Sequence, residues 1–159
     1  HFAAEHGHLE IFQRILDNVE DKNPSANNGK TPLHVAAQNG HLPVVCIIIE
    51  HSINLHPKDS EGATPLHFAV RKGKRHLKVC QKIMEKAKEN NPDKNGVTPM
   101  HLAAQKGCVV IYKLILQMLR RRIQRITKER PQLNGLVDTH KYFVLTANFL
   151  KFSFFCYGM

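Results

Sequence analysis

The chain carries none of the short patterns that mark most catalytic sites. It has no nucleophile elbow, no HExxH pair, no glycine-rich cofactor loop and no two carboxylates with an evident acid and base between them. An enzyme is therefore not expected, and neither a cofactor nor a metal is called for. Cysteine is scarce as well: Cys46, Cys80, Cys108 and Cys156 form no CxxC pair and no zinc-finger spacing, which argues against a disulfide framework or a structural metal. They read as free thiols acting as small apolar residues in a reducing, intracellular compartment. Long apolar runs are missing too. Residues 142–159 hold seven of the eleven aromatics, but Lys151 divides that tail into runs well short of the roughly 20 residues that span a bilayer. Acidic residues are few, 13 against 23 Lys and Arg, for a formal net charge of +10. Where that charge sits matters more than its size.

Repetition dominates what is present. Thr31-Pro-Leu-His-Val-Ala-Ala-Gln-Asn-Gly40 recurs as Thr64-Pro-Leu-His-Phe-Ala-Val-Arg-Lys-Gly73 and as Thr98-Pro-Met-His-Leu-Ala-Ala-Gln-Lys-Gly107, with starts 33 and 34 residues apart. His1-Phe-Ala-Ala-Glu-His-Gly7 is a fourth, partial copy. A fixed period of this size marks a stacked array. Threonine before proline predicts a helix start, because the hydroxyl can accept an early N–H and proline at the first helical position has no N–H to leave unpaired. Gly40, Gly73 and Gly107 can adopt the left-handed conformation that closes a short helix.

A second helix follows each glycine. Leu9, Ile11, Phe12, Ile15 and Leu16 fall on one helical face, and Leu77, Cys80, Ile83, Met84 and Ala87 repeat the spacing. Val44 to Ile49 alone would read as a buried strand. The repeat register and Pro43, suited to a first helical turn, place it in a helix instead. Between the units, Pro24 to Gly29, Pro57 to Gly62 and Pro92 to Gly96 are turn chemistry and predict hairpin-like fingers. The unit beginning at Thr64 has Val70 in place of alanine and two extra residues near Lys74-Arg75, which predict a small bulge.

These motifs resemble the ankyrin repeat, whose turn and two helices carry Thr-Pro-Leu-His-x-Ala at a period of 33. The resemblance spans residues 1–127 and implies an all-α solenoid with β-hairpin-like finger loops. It divides the chain into a partial first repeat with its finger (1–30), repeats at 31–63, 64–97 and 98–127, and a C-terminal tail (128–159). It further implies that His1, His34, His67 and His101 are structural, hydrogen-bonding between neighbouring units. The other histidines are scattered, and His8 and His41 share the place after the helix-closing glycine. In this family the concave side, made by fingers and first helices, is the usual contact surface. Here it would present Lys30, Gln38, Asn39, Glu61, Arg71, Lys72, Lys94, Gln105 and Lys106 to another protein, an acidic one given the bias toward lysine and arginine. A monomeric array is expected. Because the first copy begins within its motif, the sequence also reads as a fragment of a longer chain.

Gly29-Lys30-Thr31 imitates the end of a phosphate-binding loop, but Pro24 stands where the loop needs its first glycine. Glu50, Asp59, Glu61, Glu85 and Asp93 read as solvated surface. Arg71, Lys72, Lys74, Arg75, Lys78, Lys82, Lys86 and Lys88 form one basic group along the third repeat. From Arg120 to Arg130 six basic residues meet one acid. That run is read first as the polar extension of a second helix, ahead of a nuclear-import or nucleic-acid patch, and no nucleic-acid partner is expected. The alternative is a membrane-associated, channel-like protein, in which 120–130 and the aromatic tail make the contact through 120–159. Asn134 to His140 aligns loosely with Asn95 to His101, so the tail reads as a decayed repeat, a membrane-proximal tail or a misread coding end.

Overall fold

The computed structural model describes residues 1–52, 54–87 and 90–129. Two helices arise from each copy of the repeat. The first supplies α1 (Phe2–His6) and α2 (Leu9–Asp17), the second α3 (Pro32–Asn39) and α4 (Leu42–His51). The third supplies α5 (Pro65–Arg71) and α6 (Leu77–Ala87), the fourth α7 (Pro99–Gln105) and α8 (Val109–Glu129). Among the described residues there is no β-strand. The strand-like run Val44 to Ile49 lies within α4, because its neighbours in the stack bury it on more than one side.

The chain divides into two compact units, residues 1–116 and 117–159. In the first, α1, α3, α5 and α7 pack side by side in order, while α2, α4 and α6 form a second row behind them. Of the second unit only 117–129 is described, and it is the continuation of α8. The basic run is thus helical as far as Glu129. The loose match at Asn134 to His140, the aromatic tail, Arg130, Lys88 and Cys156 lie outside the described residues.

Histidine is the keystone of each junction. Thr31, Thr64 and Thr98 take extended backbone geometry, and Pro32, Pro65 and Pro99 open the helices. The Thr31 N–H donates to His34 Nδ1 at 3.0 Å, the Thr64 N–H to His67 Nδ1 at 3.0 Å and the Thr98 N–H to His101 Nδ1 at 3.1 Å. The imidazole thereby occupies the third helical position, where a capping box usually places Glu or Gln. Accepting at Nδ1 fixes the proton on Nε2. The Nε2–H of His34 then donates to the Ala63 carbonyl at 3.0 Å, and that of His67 to the Val97 carbonyl at 3.0 Å. His1 Nε2 likewise sits 3.0 Å from the Lys30 carbonyl. One side chain caps its own helix and ties it to the residue just ahead of the next Thr-Pro, where the following repeat begins. His34 and His67 are fully buried, and burial pushes both below their ordinary pKa.

The second helices carry the core. Val44, Val79 and Ile111 occupy one column of the stack and are 0%, 2% and 0% exposed; Ile48, Ile83 and Ile115 occupy another at 0%, 1% and 0%. Each contributes roughly 1.5–3 kcal/mol by burial. Their counterparts in the first repeat, Ile11 and Ile15, are 54% and 47% exposed. These are β-branched residues at the same helical positions, and among the described residues they have no preceding unit packed against them.

Glycines at the helix ends admit the following repeat. Gly40 has φ of +83°, and a Cβ there would meet His76 Nε2 at 2.6 Å. His41 packs in the same way against Gly7, and Cys108 against Gly73. The two extra residues of the third repeat fold as a 3₁₀ turn, Gly73–His76, which carries His76 to the place that His41 holds in the second repeat. From there His76 Nδ1 bonds the Ala37 carbonyl at 3.2 Å, as His41 Nε2 bonds that of Glu5 at 2.8 Å. Cys80 and Cys108 are free and buried, and burial pushes the Cys80 thiol up to about 12. Cys46 is also free but only half-buried, contrary to the expectation that it is a core residue.

Candidate functional site

The fingers are built from their own backbones. In each, an N–H reaches across the base: Ala26 to the Lys30 carbonyl, Asp59 to that of Ala63 and Asp93 to that of Val97, at 2.9, 3.0 and 2.9 Å. They are tight turns, and one backbone bond joins each to the next. Ser60 N–H donates to the Asn28 carbonyl and Lys94 N–H to the Glu61 carbonyl, both at 2.9 Å. Gly29 lets the first finger approach so closely, since a Cβ there would lie 2.8 Å from the Ser60 nitrogen.

Two acids expected on the solvated surface turn out to organise these turns. Asp59 Oδ1 accepts from the N–H groups of Glu61 and Ala63 at 3.0 and 2.8 Å, and Asp93 Oδ1 from those of Asn95 and Val97, both at 2.9 Å. A carboxylate two residues before an N–H can reach it with a short side chain, which is the physical basis of the Asx turn. Ala26 holds the corresponding place in the first finger, where Asn28 Oδ1 accepts from Lys30 N–H at 3.0 Å instead. Asn23 and Asn90, ahead of their fingers, accept from the N–H groups of Leu33 and Met100 at 3.0 and 2.9 Å and so satisfy early donors of α3 and α7.

The nine expected contact residues fall into two rows. Lys30, Glu61 and Lys94 belong to the fingers, with Glu61 and Lys94 exposed and Lys30 half-buried. Gln38 and Asn39 end α3, Arg71 and Lys72 lie at the end of α5, and Gln105 and Lys106 at the end of α7. All six are exposed except Gln38, which is half-buried. Asn39 does not project freely, because its Nδ2 donates to the Glu5 carbonyl at 3.1 Å. The structure brings two of the nine onto one ring. Lys30 Nζ lies 4.9 Å and the Arg71 guanidinium carbon 5.5 Å from the centroid of Phe68. His34 meets the same ring edge-on at 5.5 Å. Sequence reasoning missed Phe68; its one signal was an aromatic where the other full copies have Val35 and Leu102.

Among the described residues no group of three or more His, Cys, Asp and Glu could hold a metal ion, and no helix is long and apolar enough to cross a membrane. A cavity of about 560 Å³ opens between α2 and α4, lined by charges of both signs, including Glu10, Arg14, Asp17, Lys22 and Glu50. Lys22 is already engaged there, donating to the carbonyls of Leu16 and Val19 past the end of α2.

The family model for ankyrin repeats, in three copies, matches residues 1–93 and 56–127. The chain belongs to the ankyrin-repeat family, whose repeats generally mediate protein–protein interaction. No curated protein matches the chain.

Proposed function

We propose that this protein is a non-catalytic interaction scaffold that binds a partner protein through its fingers and the ends of its first helices. One observation carries this reading. The repeated letters are buried in the scaffold, with Thr31, His34, Ala36 and Ala37 at most 1% exposed, whereas the letters that change between copies, Arg71, Lys72, Gln105 and Lys106 among them, form an exposed row. Recognition then rests on surface complementarity and not on chemistry. Five of the nine expected contacts are basic and one is acidic, so the partner presents acidic groups and its association weakens with salt. The array acts as a monomer inside the cell. Affinity for a recovered partner, measured for the Arg71→Glu/Lys72→Glu variant, tests the assignment; an unchanged value refutes it.

A further inference from the structure

Three departures from the repeat pattern converge on one place. Lys30 stands where the next two units have Ala63 and Val97, Phe68 where its neighbours have Val35 and Leu102, and Arg71 where they have Gln38 and Gln105. These three belong to two different repeats, yet both cations lie within 6 Å of the Phe68 centroid. The scaffold explains neither cation, because other copies build the same turn and helix with uncharged residues at the positions of Lys30 and Arg71.

Their chemistry is complementary to a carboxylate. Two like charges gathered on one ring repel each other, and a bridging anion converts that cost into two charge-assisted bonds. Asp59 lies near enough to His34 and His67 to act on both. Its Oδ1 is held by the finger amides of Glu61 and Ala63. Phe68 itself is 6% exposed, so it serves as a floor that positions the cations. A guanidinium stacked on such a floor loses little further freedom when it binds.

We propose that Lys30, Phe68 and Arg71 form one recognition centre for a glutamate or aspartate side chain of the partner. This rests on the reading that the finger and first-helix face binds the partner, and it names the chemistry recognised there. Amide spectra of the full chain, titrated with a hexaglutamate peptide at low salt, test it. The largest shifts are expected at Lys30, Thr31 and Phe68 to Lys72. Arg71→Gln should weaken binding roughly tenfold, and Phe68→Leu, which keeps the apolar floor but removes the ring, about threefold. Lys94→Gln/Lys106→Gln, which removes two charges from the same face, should change it less than twofold. Circular dichroism confirms that each variant is folded. Shifts centred on Lys94 and Lys106 would overturn the centre while leaving the face intact. Shifts centred on Lys78, Lys82 or Arg121 would overturn both, and an absence of saturable shifts would overturn acid recognition.

Discussion

Lowering the pH from 7.5 to 5.5 should loosen the stack, and the structure fixes both the sign and the ceiling of the effect. His34 and His67 are held neutral: Nδ1 accepts a backbone N–H, Nε2–H donates to the carbonyl just ahead of the next Thr-Pro, and burial disfavours the charged ring. Their folded pKa values lie below the ordinary 6.5, so between those values and 6.5 the unfolded chain binds more protons than the folded one. Stability from these groups is fully present above 6.5 and is lost as the pH falls toward the folded values. At one unit below 6.5 each buried histidine withdraws at most about 1.4 kcal/mol, and the pair about 2.8 kcal/mol. His76, also lowered but only half-buried, adds a smaller share. Against the 5–15 kcal/mol typical of a folded domain this is a large fraction. Urea unfolding followed by circular dichroism at pH 7.5, 6.5 and 5.5 measures it, with the His34→Gln/His67→Gln variant as reference. Glutamine can still cap the helix but does not titrate. The variant should lose about 2 kcal/mol at pH 7.5 and most of the pH dependence. A wild-type stability that stays level down to pH 5.5, or a variant that keeps the full slope, refutes the argument.

Three further outcomes follow from burial and turn geometry. Ile48→Ala should cost about 3 kcal/mol and the equivalent Ile15→Ala under about 1 kcal/mol, because only the former opens a cavity; equal costs in denaturant would mean that Ile15 is covered after all. Asp59→Ala should destabilise by about 1–2 kcal/mol, while Ala26→Asp, which places an acceptor beside the Asn28 N–H in a finger where Asn28 already serves Lys30, should add under about 0.5–1 kcal/mol; thermal unfolding of the two variants checks both signs. Gly40→Ala should cost at least about 1–2 kcal/mol, since it strains a positive φ and displaces the His76 ring; an unchanged midpoint would contradict the close packing.

Residues that act locally were the ones legible in the sequence. Thr-Pro at a 33-residue spacing announces a helix start and a stack, and the frame it sets overrides the strand-like look of Val44 to Ile49. The bonds of His34 and His67 could not be read from spacing, because each joins positions 29 and 30 residues apart; only the resemblance supplied them. Asp59 and Asp93 were misread because a carboxylate in a polar turn looks the same whether it faces water or two amides. The meeting of Lys30 and Arg71 on Phe68 was hidden for a similar reason. Contact across repeats depends on where each chain segment lies, which no local pattern encodes.

The central claim is that recognition resides on the fingers and first helices. A calorimetric titration of a recovered partner compares Arg71→Glu/Lys72→Glu with Lys78→Glu/Lys82→Glu, which makes the same change of charge on α6 of the second row. At physiological salt the account predicts at least about a tenfold loss for the first pair and no more than about threefold for the second. Equal losses, or a larger loss for the pair on α6, would contradict it.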